Sequence, residues 1–489
     1  MSGVVEADKL FGRIYGIGPC GWLKIVAPIL LTYSTQKEIA MADTPPLMVN
    51  GFVKSKLVPF RFEKESSATP QAFKARARFF DLLEESRLKK LDQPSLVSSL
   101  HGEIDRVLFT IPYWVFFAES FPGEEALIQK YANAFRHILA TLPNACRVVL
   151  FTNEVSADKA RSWLSEFGLS ARSELVTAPD GMKFTVWAED AYCICKDVAD
   201  GETYFVEPAS FTRAEDAYIA DRVAPKTDLE STQVQLYFQG GNVLIGDDFW
   251  FIGADYPAHS LELGFVVPQP GETTSAAITR VYGSFMDRDR KLIVVGSRVP
   301  VPSNQKRPIM VNGELWHEVL YFGNAPGTVQ PLFHIDMFVS LAGRDVNGTY
   351  TVMVGSPEMA ASILGEPLPE GAMQDVFDDV AAGLSALGFK VIRNPLPMAY
   401  DDDDTDNTRY WYFATGNNVL TQDGPKKVWI PTYGHGNWTK LAATDAENKR
   451  IWESLGYTVE LLPDFHPFAA NLGAAHCIKK YLGRAAGMA

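Results

Sequence analysis

From about residue 105 to the C-terminus, short apolar runs alternate with stretches in which apolar positions recur every three or four residues, the periods of strands and of one-sided helices. Three stretches repeat this order. Val148 to Glu154 reads as a strand, Asp158 to Phe167 as a helix, and a second strand runs from beyond Gly168 towards Pro179. Thr351 to Val354 is followed by a helix from about Met373 to Leu387, then Gly388 and the strand FKVIRN. Val428 to Tyr433 is followed by a helix opening at Thr444, then Gly456 and the strand YTVELL. In the second helix Met373, Val376, Phe377, Val380, Leu384 and Leu387 share one stripe, which predicts a core-facing side. Thr444 and Glu447 have the spacing of a capping box. All three helices end at a glycine followed by an apolar residue, as a left-handed C-terminal cap requires.

Asn242 to Ser297 reads as a degraded fourth copy, with a hairpin (VLIG-DD-FWFIG), a helix around Ala276 to Phe285 and the strand KLIVVGS. A further copy near Lys183 to Asp200 is fainter. Units that each offer strands and one amphipathic helix bury their faces by packing side by side, so an α/β array or propeller is expected over residues 105–489. Residues 1–104 break the pattern, with Pro-rich joints (DTPPL, SATPQ) and one helix around Ala72 to Leu91, and read as an N-terminal accessory region. The acidic run Asp401 to Asp404 with Asp406 predicts a solvated loop, the alternative being a pocket-lining loop that attracts a cation.

Composition narrows the partners. The chain has 489 residues, 47% hydrophobic and 21% charged, as a soluble globular protein of one or two large domains would. Its 59 acidic and 45 basic side chains leave a net charge of -14, which argues against nucleic acid as a partner. Five cysteines are too few and too scattered for a disulfide framework, so a reducing, cytoplasmic setting is expected. The apolar stretch Ile25 to Tyr33 falls short of a bilayer span, and no membrane partner is expected.

Four short segments could carry chemistry. Cys477, in NLGAAHCIKKYLG, follows small residues that allow close approach, and His476 and Lys479 predict electropositive surroundings that favour thiolate. Alone, such a cysteine is more often an inert core residue. In FHIDMF, alternation places His334 and Asp336 on one face of an extended segment, a pair suited to acid–base work near neutral pH. A metal would also suit that pair. Against it stand the lack of a His-x-His or Cys-x-x-Cys cluster and the wrong spacing of Cys193 and Cys195, which read as ordinary strand residues. Glu189 and Asp190, in VWAEDAY, set two carboxylates among apolar and aromatic residues, which requires a structural partner or a cationic substrate. In YFQGGNV the pair Gly240 and Gly241 permits a sharp turn or a close approach.

Taken in order, WAED, FQGGN, HID and AHC resemble the segments of the guanidino-group-modifying superfamily, the penteins, and among them agmatine deiminases and bacterial peptidylarginine deiminases. The resemblance runs from about residue 105 to the end and includes VWIPTYG, a helix and LGYTVELLP before the small-residue run into His476 and Cys477. It implies a five-bladed, pseudo-symmetric α/β propeller with a central site. It implies that Cys477 attacks the guanidinium carbon, that His334 protonates the departing amine and then activates water, and that Asp190 and Asp336 hold the guanidinium nitrogens. Gln239 and Asn242 would complete the substrate-binding set. No metal or organic cofactor is implied, and the partner would be a small-molecule or peptidyl guanidine. Three departures stand out. Gln239 occupies a place where deiminases of this group often have an acid, and Glu189 one where agmatine-type members tend to have arginine. The family's aromatic-Asn segment is not clearly matched by DNTRYWYFATGNN. Amidino transfer on the same fold, and a binding protein without turnover, are the alternatives.

Overall fold

The computed structural model describes residues 90–485 other than 214. The Pro-rich joints, the apolar stretch Ile25 to Tyr33 and all but the last two positions of the helix expected around Ala72 to Leu91 lie outside the described residues.

Five sheets follow one plan: an antiparallel pair, then a strand parallel to the second member, reached by a crossover that carries a helix. Parallel neighbours cannot be joined by a tight turn, which is why each unit needs its helix. The first unit is Cys193–Asp197, Thr203–Glu207 and Glu230–Gln233, with Pro94–Leu96 added at its edge. The second is Val243–Ile245, Phe249–Gly253 and Lys291–Val295, and the third is Val339–Arg344, Tyr350–Ser356 and Lys390–Pro395. The fourth is Leu420–Asp423, Lys426–Thr432 and Thr458–Asp464. The fifth joins the two ends of the described chain, with Lys479–Ala485 antiparallel to Glu103–Thr110 and Arg147–Asn153 parallel to the latter.

The repeats expected at 351–395 and 428–463 are thus the parallel halves of the third and fourth units, and the fourth copy is the second unit. The repeat at 148–179 is offset. Its helix Ala157–Glu166 and strand Ser173–Ala178 extend the fifth sheet by one strand, while the crossover within that unit is the helix Glu125–Thr141.

Several local expectations change. Helix Gln374–Ala386 buries Val376, Phe377, Val380 and Leu384 as its stripe predicts, but Leu387 is 51% exposed because it lies beyond the last helical turn. Helix Ala442–Ser454 starts two residues before Thr444, so there is no capping box: the Thr444 hydroxyl donates to Leu441 O and Glu447 pairs with Arg450. The glycine caps are present, with Gly168, Gly388 and Gly456 at φ 67°, 94° and 84°. The acidic run is divided: Asp401 to Asp403 end a strand, while Asp404 and Asp406 lie exposed in the turn that follows, as a solvated loop would place them. Met398–Asp403 pairs with Thr408–Phe413, Asp402 with Arg409, and Asp403 is buried where it caps Thr405. With Gln305–Val311 and Glu314–Leu320 these strands form a sixth sheet, from two hairpins distant in sequence.

Candidate active site

Each segment singled out in the sequence lies just before the first strand of a unit, where the chain passes from one unit to the next. Asp190 precedes Cys193–Asp197, Gln239 and Asn242 precede Val243–Ile245, His334 and Asp336 precede Val339–Arg344, and Cys477 precedes Lys479–Ala485. In the remaining unit Asn417 and Asn418 hold that place, before Leu420–Asp423.

Hydrogen bonds join these five segments in a closed circuit. Gly240 N donates to Asp190 O at 2.9 Å and Ile335 N to Asn242 Oδ1 at 2.9 Å. Thr415 Oγ1 donates to Met337 O at 2.6 Å. His476 N and Cys477 N donate to Asn418 Oδ1 at 2.8 and 3.2 Å, and Glu189 N to Cys477 O at 3.1 Å. The glycine pair serves close approach. A Cβ on Gly240 would stand 1.9 Å from Glu189 O, and one on Gly241 2.5 Å from His334 Nδ1.

The circuit brings Cys477, His334, Asp336, Asp190 and Gln239 together, each 2% exposed or less. Cys477 Sγ lies 3.1 Å from the donating Nδ2 of Asn418 and 3.4 Å from Asp336 Oδ2. Asp336 Oδ2 also meets His476 Nδ1 at 2.8 Å. His334 Nε2 is 2.9 Å from Gln239 Oε1 and 3.2 Å from the Tyr256 hydroxyl, while its Nδ1 stands 3.7 Å from Asp190 Oδ1. Since an amide oxygen only accepts, Nε2 carries a proton and donates to Gln239. Asp336 Oδ1 and Asp190 Oδ1 are buried with no hydrogen-bond partner among the described residues.

His334 and Asp336 reach the site differently from the expectation. His334 is extended, but Ile335–Met337 is a single 3-10 turn, and it is this turn, held by Asn242, that aims Asp336 at Cys477. The Asn242 amide is engaged throughout: it accepts from Ile335 N and Gln330 Nε2 and donates to Gly253 O.

The expected electropositive surroundings of Cys477 are absent. Lys479 and Lys480 both turn to Glu189, at 2.7 and 2.8 Å, and His476 turns to Asp336. Burial, then Asp336 and Asp190, pushes the Cys477 thiol well above its ordinary range. Burial holds the His334 imidazole down at about 3. The resting pair is therefore thiol and neutral imidazole. Burial alone would raise Glu189, but Lys479 and Lys480 outweigh it and leave the carboxyl at about 2, so its partner is structural. Asp190 is raised, because burial outweighs the attraction of Arg213, whose Nη2 donates to Asp190 Oδ2 at 2.7 Å. Arg213 is in turn held by Asp216 at 2.6 Å.

Sequence reading missed Asn418 and Arg213. Asn418 carries a signal, because it stands two residues before the first strand of its unit, as Cys477 does in its own. Arg213 carries none, because it reaches Asp190 from a segment between Thr203–Glu207 and Glu230–Gln233 that has no repeat pattern. Among the described residues no group of three or more His, Cys, Asp or Glu side chains is placed to hold a metal ion, and no helix is long and apolar enough to cross a membrane.

No family model matches the chain, and no curated protein matches it. Solved structures do. The agmatine deiminase of C. jejuni superimposes with a TM-score of 0.51 at 11% identity, over 81% of this chain and 98% of that one. A protein named provisionally as an agmatine deiminase gives 0.50 at 15% identity, over 80% and 96%. At such identities the likeness is one of fold.

Proposed function

We propose that this chain, whose α/β fold is that of the agmatine deiminases of the pentein superfamily, is a cysteine-dependent hydrolase of guanidinium groups. One observation carries the reading. Among the described residues Asp190 and Asp336 each keep a buried carboxylate oxygen without a hydrogen bond, and Asp336 lies beside the Cys477 thiol. Buried carboxylate oxygens ask for donors, and a planar cation with several N–H groups answers two of them at once.

A guanidinium between the carboxylates also resolves the resting protonation state. Burial first and the two carboxylates second hold the Cys477 thiol up; the cation offsets the carboxylates, so as substrate arrives the thiol gives its proton to the unprotonated Nδ1 of His334, leaving thiolate and imidazolium. The sulfur then attacks the guanidinium carbon and forms a C–S bond. The C–N bond breaks with its electron pair on nitrogen, His334 delivers a proton, and ammonia leaves a thiouronium on Cys477. His334 next takes a proton from water, which attacks the same carbon, and the C–S bond breaks to release a ureido product and the thiol. Asn418 steadies the sulfur, Gln239 orients His334, Asn242 sets the turn that carries Asp336, and Arg213 fixes one oxygen of Asp190.

The five units and the closed circuit favour a five-bladed pseudo-symmetric propeller in a cytoplasmic protein; because Pro94–Leu96 and Glu103–Thr110 are strands of its units, the body begins by about residue 94 rather than at 105, and the accessory region is shorter than 1–104. A second reading, a guanidine-binding protein without turnover, is favoured by Gln239. Its neutral amide orients His334 but does not stabilise the imidazolium as a carboxylate would.

Acid-quenched reactions read by intact mass test the proposal. Hydrolysis predicts that Cys477 gains the mass of the substrate less ammonia. Amidino transfer, in which an amine resolves the intermediate, instead leaves only the amidino carbon and its two nitrogens on the sulfur. Tight guanidine binding with no adduct supports the binding protein.

A further inference from the structure

We infer that the guanidine accepted here carries an uncharged, apolar substituent, seated in an aromatic cleft beside His334 and Asp336; this rests on the function proposed above and names its substrate class. The residues on either side of that pair lead into the cleft. Phe333 stacks on the His334 ring at 4.0 Å between centroids, and Met337 Sδ lies 3.5 Å from the same Asn418 amide nitrogen that bonds Cys477. Both line an apolar cleft whose other walls include Phe322, Trp411, Tyr412 and Leu472. Trp411 and Tyr412 come from the sixth sheet, which stands outside the five-unit plan.

None of the lining side chains carries a formal charge, and the polar edges of Trp411 and Tyr412 are turned onto protein partners. Trp411 Nε1 donates to Glu318 at 2.8 Å, and Glu318 is paired with Arg307. The Tyr412 hydroxyl meets His466 Nδ1 at 2.7 Å. The α-carboxylate of free arginine or the far ammonium of agmatine would leave water here with no counter-charge among the lining side chains, which a low-dielectric wall penalises. An alkyl or aryl group gains by the same burial. Selectivity then comes from the missing partner as much as from the apolar contact.

Backbone strain marks the same place. Tyr321 and Leu472, both lining residues, hold φ of 56° and 61°, a left-handed conformation that bulky side chains adopt only where the surroundings impose it. Leu472 also fills the space beside Gly323, where a Cβ would come within 2.6 Å of its Cδ1.

Calorimetric binding to the full chain carrying Cys477→Ala, which retains the carboxylates, tests the inference with methylguanidine, butylguanidine, 2-phenylethylguanidine, arginine and agmatine. Butyl- and phenylethylguanidine are expected to bind at least about tenfold more tightly than arginine or agmatine. Leu332 lines the cleft from a half-buried loop position. Adding Leu332→Asp is expected to shift the preference towards agmatine by about tenfold, with methylguanidine unchanged. Arginine or agmatine bound as tightly as the apolar guanidines would overturn the inference and leave the guanidine site standing. Failure of the whole set to bind, methylguanidine included, would overturn the site reading and the inference with it.

Discussion

At the scale of single residues, the sulfur of Cys477 is placed by one amide. Asn418 accepts from two backbone N–H groups beside Cys477 and donates to its Sγ, so the same side chain fixes the turn and supports a thiolate. Asn418→Ala is expected to lower kcat about a hundredfold, the order seen when one preorganised donor is lost from a reacting centre. Asn418→Asp should be worse, because a further carboxylate would raise a thiol that burial and two aspartates already hold up. Steady-state kinetics of the pair, beside circular dichroism to confirm folding, checks both. Gln239→Glu tests how His334 is governed. A carboxylate in place of the amide favours the imidazolium, so the acidic limb of the rate profile should move to higher pH; an unchanged profile would place the governing charge elsewhere. Five of the side chains that the circuit brings together, Cys477, His334, Asp336, Asp190 and Gln239, were singled out in the sequence because each sits in a short segment of unusual type, whereas Asn418 and Arg213 were not. Their electrostatics were not, since the lysines that follow Cys477 are neighbours along the chain and turn to Glu189 in space.

At the scale of elements, the site is assembled by chain crossings between units, so glycines have two separable jobs. Gly388 caps the helix Gln374–Ala386 at φ 94°, with open space where a Cβ would go. Gly388→Ala is expected to cost about 1 kcal/mol of stability from the strained backbone and to leave guanidine affinity alone. Gly240 has no such φ, but its Cβ position collides with Glu189 O. Gly240→Ala is therefore expected to open the circuit at Asp190 and weaken guanidine binding at least tenfold, with a smaller effect on stability than on affinity. Chemical denaturation and calorimetry on the two variants separate these roles. Parallel strand–helix–strand halves were readable because periodicity and glycine caps are local signals. The short antiparallel strand Leu420–Asp423 was not read, whereas Val243–Ile245 was, because a tight hairpin ties it to its partner. The acidic strand Met398–Asp403 was misread because its charges are answered across a hairpin, by Arg409, rather than along the chain.

At the scale of the whole described body, burial of the site couples its chemistry to stability. Burial lowers His334 to about 3 in the folded protein, against about 6.5 for a solvated imidazole. Between those values the unfolded chain binds a proton that the folded one refuses. The contribution of His334 is therefore fully present above about pH 6.5 and is lost as pH falls towards 3, a few kcal/mol at most. Urea denaturation from pH 7.5 to 4.5 should show this slope, and His334→Gln should flatten it. In the fifth sheet the pairing of Lys479–Ala485 with Glu103–Thr110 had no sequence signal because the partners lie at opposite ends of the described chain. The same pairing seats Cys477, two residues before that strand, in the circuit with Asp190 and Asn418. The account stands on Cys477 as a nucleophile towards guanidines. Its most direct test is ureido-product and ammonia release from alkylguanidines, arginine, agmatine and an arginine peptide, comparing the native chain with Cys477→Ala. The account predicts equimolar ureido product and ammonia from at least one of them, abolished in the variant. Turnover that survives Cys477→Ala, or none in the native chain from any of the four, would contradict it.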